Sequence, residues 1–448
     1  MTRLQRFGIS FLFCCFLAAC TFTKAILAAP LSVNPSNAWC DIINNAAPGD
    51  EIVFNPGFYT MPCWITAKGL PGSPITVRSQ SEEPNQRTTF AYQGSTSNVL
   101  ELRDAAYLTI RGFSFAPTQD GVDAIRIRKA NDIIIEKNLF KGIGAVSISA
   151  NDGDTHRITV RQNTFKDLKY TGLYFGCHDG YTCHATDLLI EGNLIDGITT
   201  PFAPSAIGYG LEIKLNSYGT VRDNTVYRTK GPGIMVYGSN RKDPPSILEG
   251  NYVEGSMTEG GIVIGGGPAI VRNNVLIGNA YGGISAQNYG GRDLQKNVWI
   301  VHNTIINNDH SGINVSAWQA GRGNVIALNA FLPKSGTPAL RPSLPPGTML
   351  GNITCSTGAS CFVNAVTPPY DLWPSSDSPL LDASGYGIEP WRPLDDFMGI
   401  QRDISADVGA FERASQTLDH LVGGGYTRPP RMRIDTAPPS PPRNLRIQ

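Results

Sequence analysis

Charged and aromatic residues recur at fixed places in a five-residue phrase, which reads small, apolar, any, apolar, any. The apolar positions alternate with the variable ones, as in a strand that buries one face. The variable positions and the loops just beyond them carry a mixed set, which comprises Arg126, Arg128, Tyr174, Glu212, Lys214, Tyr237 and Gln287, then His178, Tyr289 and Trp318. This mixture suits an oligosaccharide, whose rings stack on aromatic side chains and whose hydroxyls or carboxylates take hydrogen bonds.

The phrase belongs to a longer repeat that must position these side chains. Another phrase, apolar, any, apolar, two mostly polar residues and Asn, precedes it and ends at Asn138, Asn163, Asn193, Asn224, Asn251, Asn274, Asn303 and Asn329. These asparagines lie 23 to 31 residues apart, so each unit is predicted to be one coil of a β-solenoid with two strands. The asparagine is interpreted as structural, because its amide satisfies backbone groups at a turn and stacks on the next coil.

Alignment of the phrases predicts which residues stack on one another. We expect Ile125 to lie on Val146 in an inward column of aliphatic residues, with Arg126 in the neighbouring outward column. The same alignment places Lys214 and Tyr237 on adjacent coils, about 5 Å apart at the backbone. The repeats make about ten coils.

Composition excludes several classes of protein. The 448 residues contain 37 Lys+Arg and 37 Asp+Glu, are 41% hydrophobic and include 48 Gly. The zero charge balance argues against a nucleic-acid partner, because phosphate contacts need an excess of Lys and Arg. The hydrophobic share is typical of a folded protein, and the length allows one elongated repeat domain.

The N-terminus predicts export. Arg3 and Arg6 precede an apolar run from 7 to 19 that is too short to span a membrane, so residues 1–29 are interpreted as a signal peptide and no transmembrane segment is expected. The run ends in Leu-Ala-Ala-Cys20, which resembles the bacterial lipobox and implies a lipid anchor on Cys20. Cleavage after Ala29 is the alternative. The protein is therefore expected to be extracellular, periplasmic or an outer-membrane lipoprotein.

Six further cysteines form an even set, as expected in an oxidising compartment. Two pairs have five intervening residues each, so local disulfides are predicted there, and the third pair is assigned by elimination. The pairs are Cys177 with Cys183, Cys355 with Cys361, and Cys40 with Cys63. A metal site is the alternative at the first pair, since His178, Asp179 and His184 adjoin it, but the spacing matches no zinc pattern.

These residues resemble the right-handed parallel β-helix proteins over roughly residues 38 to 412. The stretch 42–59, with Pro74-Ile-Thr-Val77, looks like the N-terminal capping segment of β-helical polysaccharide lyases, which implies a capping helix. The stretch from Ser378 to Glu412 is similar to a closing segment. The expected organisation is a cap and first coils at 30–105, repeats at 106–355, a C-terminal cap at 356–412 and a disordered Pro- and Arg-rich tail at 413–448.

The family of chondroitinase B and the β-helical alginate lyases carries a catalytic Lys at this outward position and an Arg one coil later. The resemblance places Lys214 in the Lys position and Tyr237 in the Arg position. β-Elimination from a uronate then needs Lys214 as base, Tyr237 or His178 as acid, and a cation such as Arg126 or Arg128 to neutralise the carboxylate. The other members of the mixed set are assigned to substrate binding, namely Tyr174, Glu212, Gln287, Tyr289 and Trp318. The family's calcium-binding glutamates are replaced by Ile207 and Tyr209, so no cofactor is expected, and calcium is the alternative.

Other interpretations stay open. Glu212 and Lys214 are two residues apart on one strand face, which is also the pattern of a solvated ion pair, and Glu212 would hold Lys214 protonated. Pectin hydrolysis would need clustered carboxylates, and only Asp152, Asp154, Asp179 and Glu212 lie near this face. The alternative from a different class is a non-catalytic cell-surface rod that binds glycans or is purely structural. A monomer is expected in either case.

Overall fold

The computed structural model describes residues 29–83, 85–198, 207–342, 344, 349–384, 392–413 and 421–423. The predicted signal segment with Cys20, apart from Ala29, and nearly all of the tail lie outside the described residues. No helix in the described ranges is long and apolar enough to cross a membrane.

Within these ranges, three parallel sheets run along a solenoid of about 11 turns. Sheet 1 has 14 strands: β1 (Leu31–Val33), β2 (Glu51–Phe54), β5 (Ile75–Ser79), β8 (Ala106–Arg111), β11 (Asn131–Glu136), β14 (Thr155–Arg161), β17 (Ala185–Thr186), β18 (Leu188–Glu191), β21 (Gly219–Arg222), β24 (Ser246–Glu249), β27 (Ala269–Arg272), β30 (Val298–Val301), β33 (Val325–Ala327) and β36 (Met349–Leu350). Sheet 2 has 12 strands: β3 (Phe58–Tyr59), β6 (Thr89–Phe90), β9 (Ser114–Phe115), β12 (Leu139–Lys141), β15 (Thr164–Lys166), β19 (Leu194–Ile198), β22 (Thr225–Thr229), β25 (Tyr252–Glu254), β28 (Val275–Ile277), β31 (Thr304–Ile306), β34 (Ala330–Leu332) and β37 (Ile353–Thr354). Sheet 3 has 11 strands: β4 (Cys63–Ile65), β7 (Leu100–Arg103), β10 (Ile125–Arg128), β13 (Val146–Asp152), β16 (Thr171–Phe175), β20 (Leu211–Ile213), β23 (Ile234–Val236), β26 (Gly260–Ile264), β29 (Gly282–Ala286), β32 (Ile313–Val315) and β35 (Leu340–Arg341).

The prediction of a parallel β-solenoid is confirmed, but two strands per coil is wrong. The Asn phrase forms sheet 1 and the second phrase forms sheet 3, while sheet 2 begins directly after each Asn turn, as β12 does after Asn138. Its strands have only two to five residues, which is too short for a clear alternation. In sheet 2 the rings of Phe115, Phe140 and Phe165 stack at 4.6 and 4.8 Å between successive centroids.

The asparagine ladder is confirmed as structural. Asn251 is fully buried, and its Nδ2 donates to the carbonyl of Val221 and to Oδ1 of Asn274, both at 2.9 Å. Its own Oδ1 accepts from the backbone N–H of Asn224. The ladder runs from Asn138 to Asn352, and each turn is thereby held to the next.

The ends and flanks of the solenoid are covered. Helix α1 (Trp39–Asn44) buries Trp39, whose ring contacts Phe54, Tyr59 and Phe90 at the N-terminal end, so the predicted capping helix is present. The segment after Cys355, including the antiparallel pair β38 (Phe362–Asn364) and β39 (Asp371–Pro374), packs on outward residues of sheets 1 and 2. The 3-10 turns are Tyr289–Gly291 and Ala320–Arg322.

All three predicted disulfides are present, namely Cys40–Cys63, Cys177–Cys183 and Cys355–Cys361. The metal interpretation of the Cys177 loop is therefore wrong, because both sulfurs are already bonded to each other. Three disulfides fit an oxidising compartment.

One register prediction is wrong. Ile125 pairs with Ile148 rather than with Val146, and a bulge separates Arg126 from Arg128 in this pairing. The seven-residue strand β13 offers two alignments that differ by two residues and keep the same face inward, so alternation alone does not distinguish them. The inward column nevertheless continues without a break through Leu173 and Leu211.

Candidate functional site

The outer face of sheet 3 brings the central predicted residues together. Tyr174 pairs in register with Glu212 on β20. Two residues after Glu212, the backbone N–H of Lys214 donates to the carbonyl of Phe175 on the preceding coil. The backbone N–H of Tyr237 donates to the carbonyl of Ile213, the residue just before Lys214. Lys214 and Tyr237 are therefore on adjacent coils and on the outside of the helix, as predicted.

Two polar groups meet the ammonium of Lys214. Its Nζ lies 2.7 Å from Oε2 of Glu212 and donates to the hydroxyl of Tyr237 at 3.1 Å. The Tyr237 hydroxyl lies 3.4 Å from Glu212 Oε2 and 3.4 Å from the hydroxyl of Tyr209. The Lys214 ammonium also lies 4.7 Å from the ring centroid of Tyr174, within the range of a cation–π contact. We call Tyr174, Tyr209, Glu212, Lys214 and Tyr237 the lysine cluster.

Glycines flank the cluster in its own column. A Cβ on Gly176 would lie 3.1 Å from the Cβ of Lys214, and a Cβ on Gly265 would lie 3.3 Å from the Cα of Tyr237. The two coils beside Lys214 and Tyr237 thus present no side chain at this position. This leaves the space in which the two long side chains meet.

The lysine cluster is buried except for the half-buried Tyr174, which differs from the expected exposed wall. Lys214 is 3% exposed, Glu212 is 2% and Tyr237 is 5%. Tyr237 packs in a second apolar layer outside the sheet, together with Leu215, Met235, Val263 and Leu294, and with Tyr289 partly buried against it. The loop that contains the Cys177–Cys183 disulfide also contributes, since Asn216 donates to the carbonyl of Gly180. The interpretation of Glu212 and Lys214 as a solvated ion pair is therefore wrong.

Burial controls the protonation of this cluster. Removal from water raises the pKa of Glu212, although the neighbouring Lys214 ammonium opposes that shift. The pKa of Tyr237 is raised far above its usual value by burial and by the negative charge of Glu212. Burial likewise raises the pKa of Tyr209 and Tyr174. The tyrosines therefore keep their protons and act as donors.

The predicted arginines lie apart from the lysine cluster. Arg126 and Arg128 are on β10, three strands from β20 in sheet 3, which is about 14 Å along the axis. Arg128 pairs with Glu101 and lies 2.6 Å from Asp152. Neither arginine is placed to neutralise a carboxylate on a sugar ring at Lys214.

The remaining predicted residues scatter around the site. His178 is exposed on the disulfide loop, and Gln287 is half-buried on the coil after Gly265. Tyr289 is also half-buried, and its ring stands edge-on to that of Tyr237 at 4.8 Å between centroids. Trp318 packs against the interior core instead of the outer wall.

Two features of the cluster were missed from the sequence. Tyr209 precedes the phrase Gly210–Lys214 by one residue, and its only signal was a tyrosine at a family calcium position. Leu294 reaches the cluster from a loop eighty residues after Lys214, so no local pattern indicates it.

The residues at the family's calcium positions do not fit a calcium ion. The side chain of Ile207 has no ligand atom, and the buried hydroxyl of Tyr209 stays protonated, whereas calcium prefers carboxylate and carbonyl oxygens. In the part of the chain that the structure describes, no group of three or more His, Cys, Asp or Glu residues could hold a metal ion.

Comparison with known proteins agrees with this architecture. The family model described as right handed beta helix region matches residues 123–291 and 205–332. These matches fall within the three-sheet coils, and the chain is a right-handed parallel β-helix protein.

Among solved structures, the chain is similar to an alginate lyase from Paenibacillus sp. str. FPU-7, with 14% identity, a TM-score of 0.41, and coverage of 72% of this chain and 98% of that one. It is also similar to the pectate lyase Pel9A, with 15% identity, a TM-score of 0.46, and coverage of 86% and 96%. The lacto-N-biosidase from Eubacterium ramulus has 12% identity, a TM-score of 0.42, and coverage of 70% and 63%. No curated protein matches the sequence.

Proposed function

We propose that the protein is an exported polysaccharide lyase that cleaves a uronate-containing polymer by β-elimination at the lysine cluster. The observation that carries the proposal is the convergence of Lys214 Nζ, Tyr237 hydroxyl and Glu212 Oε2 within 2.7 to 3.4 Å on the outer face of sheet 3. Half-buried Tyr174 adjoins this point and offers a ring on which a sugar can stack.

The base must first lose its proton. In the resting ion pair Lys214 is an ammonium and cannot accept one, but Glu212 lies 2.7 Å away and burial raises the pKa of its carboxyl. Transfer of one proton from Lys214 to Glu212 gives a neutral pair, whose desolvation cost is lower than that of two separated ions. A substrate carboxylate beside Glu212 favours the same transfer, because like charges raise a carboxyl pKa.

The elimination then uses two groups. The Lys214 amine takes the proton from the carbon next to the uronate carboxylate, and the electron pair of that C–H bond forms the new carbon–carbon double bond. The bond to the glycosidic oxygen breaks, and its electron pair leaves with the oxygen. Tyr237, kept protonated by burial, donates its proton to the leaving oxygen. The 3.1 Å hydrogen bond from Lys214 to Tyr237 then offers a route by which the tyrosine regains a proton.

Substrate access requires the second apolar layer to open. The most direct cover of Tyr237 is the Tyr289 ring at 4.8 Å, in a turn with positive φ at Gly290 and Gly291. Two adjacent glycines in left-handed conformation can change backbone angles at little steric cost. Tyr289 is therefore assigned as the residue that moves when the polymer binds.

The proposal is tested by incubating the purified protein with alginate, pectate, chondroitin and heparin, and following the ultraviolet absorbance of unsaturated uronates. Absorbance that grows with one polymer supports a lyase. No absorbance with any of them, together with retained binding, contradicts it.

Intact-mass analysis of the exported protein distinguishes lipidation at Cys20 from cleavage after Ala29. The size of the protein in solution tests the expected monomer.

The second candidate is a non-catalytic glycan-binding protein at the cell surface. It is favoured by the burial of Lys214 and by its ion pair with Glu212, which together keep the ammonium away from solvent. Binding without cleavage across the same panel of polymers is the outcome that this candidate predicts.

A further inference from the structure

An exposed aromatic residue lies on the same outer face of sheet 3 as the lysine cluster, at the N-terminal end of that sheet. Trp64 on β4 is 53% exposed, and the Arg103 guanidinium lies 3.7 Å from the centroid of its ring. Stacking against a guanidinium holds the indole in place and covers one of its faces. The remaining exposed area is available to a ligand.

Trp64 is in register with the lysine cluster. Its column continues, through consecutive pairings, to the residues Glu101, Arg126, Ser149, Tyr174 and Glu212. Trp64 is thus four strands from Tyr174 and five from Glu212, about 24 Å from the latter along the axis. An extended polysaccharide chain that runs along the helix axis would contact the rings of Trp64 and Tyr174 at once.

The arginines between the two rings are not held equally. Arg103 lies 2.9 Å from Glu101, and Arg128 contacts both Glu101 and Asp152. Arg126, in contrast, lies 3.8 Å from Asp123 and 3.9 Å from Asp152, beyond hydrogen-bonding distance.

The nearer of these two carboxylates is already bonded. Asp123 accepts from the Ser149 hydroxyl at 2.7 Å and from the Val146 backbone N–H at 3.0 Å. The Arg126 guanidinium can therefore donate hydrogen bonds to a ligand carboxylate without breaking a short ion pair.

We propose that the outer face of sheet 3 from Trp64 to Tyr174 is a second saccharide-binding region, in which a sugar ring packs on Trp64 and a uronate carboxylate binds Arg126. Its ligand class, an acidic polysaccharide, rests on the proposed function. The polymer lies along the helix axis, and its far end is held at Trp64 while another part reaches the lysine cluster.

Calorimetric titration with uronate oligosaccharides of increasing length, prepared from alginate and from pectate, tests this region. Affinity should rise in a step at the length whose extended span first reaches about 24 Å. Trp64→Ala should remove the step and weaken binding of the long oligosaccharides about tenfold, with short ones unaffected. Trp64→Phe, which keeps a flat ring, should retain most of the step. Phe58→Ala is the matched control, because Phe58 is 70% exposed but lies on sheet 2.

Each outcome is decisive for the binding region. Wild-type affinity of Trp64→Ala for long oligosaccharides, or no binding of any oligosaccharide by the wild-type protein, would overturn it. Parallel measurement of ultraviolet absorbance keeps the two proposals apart. A step in affinity with oligosaccharide length, without cleavage, supports the binding region and contradicts the lyase. Cleavage without such a step supports the lyase and contradicts the binding region.

Discussion

Lys214 and Glu212 lie two residues apart and both project outward from the helix, yet solvent reaches almost none of either side chain. Their 2.7 Å ion pair stands in a layer of tyrosine and aliphatic side chains outside the sheet. A charged pair in such surroundings is costly, because desolvation offsets most of the Coulomb attraction. We therefore interpret the pair as a functional feature of the outer face.

Removal of one partner should destabilise the protein more than removal of both. Glu212→Gln leaves the Lys214 ammonium buried without its counter-charge, so the free energy of unfolding should fall by about 3 kcal/mol. Adding Lys214→Met should recover much of that loss. Urea unfolding with the disulfides intact measures both values. Additive losses in the double variant would show that the two side chains are not coupled.

Tyr289 should control access to the lysine cluster. Tyr289→Ala removes the ring packed at 4.8 Å on Tyr237, and the modification of Lys214 by an amine-reactive reagent should become up to about tenfold faster. Peptide mass spectrometry measures that rate. Tyr281→Ala is the control, since Tyr281 stacks on His310. Equal Lys214 reactivity in both variants would exclude the gating role.

His302 should make the protein less stable in mild acid. It is fully buried, and burial together with the charge of Arg402 lowers its pKa well below 6.5. Below pH 6.5, His302 binds a proton in the unfolded chain but not in the folded chain. The contribution of His302 to the free energy of unfolding is therefore complete above that pH, and it is lost as the pH falls toward the pKa of His302 in the folded protein.

His302→Asn should flatten this dependence, by up to about 1.4 kcal/mol per pH unit. Asparagine also tolerates the positive φ of 51° at this position. Unfolding measured between about pH 5 and 7.5 tests the change. An unchanged slope would show that His302 does not titrate in this range.

The asparagine ladder should be a main source of stability. Asn251→Ala removes the partners of the Asn224 N–H, the Val221 carbonyl and the Asn274 amide oxygen, all in the interior. Each unsatisfied buried group costs about 1 kcal/mol or more, so a loss of about 3 kcal/mol is expected. Thermal unfolding against the exposed variant Asn240→Ala checks it. Equal melting temperatures would contradict the structural role.

The fold could be predicted because its causes are local and repeated. Alternation placed Ile125 inside and Lys214 outside, and the recurrent asparagine identified the turn. The pairing of β13 could not be predicted, since both of its alignments bury the same face. The burial of Lys214 depends on distant loop residues such as Leu294, which no repeat position specifies.

Lys214→Ala, compared with the wild-type protein on whichever uronate polymer gives ultraviolet-absorbing products, tests the proposed chemistry most directly. Loss of the base should lower the initial rate by about 10²–10⁴-fold, while Lys242→Ala, which removes an exposed lysine, should leave the rate unchanged. Circular dichroism confirms that both variants are folded. Cleavage by folded Lys214→Ala at the wild-type rate would contradict the assignment of the lysine cluster as the catalytic centre.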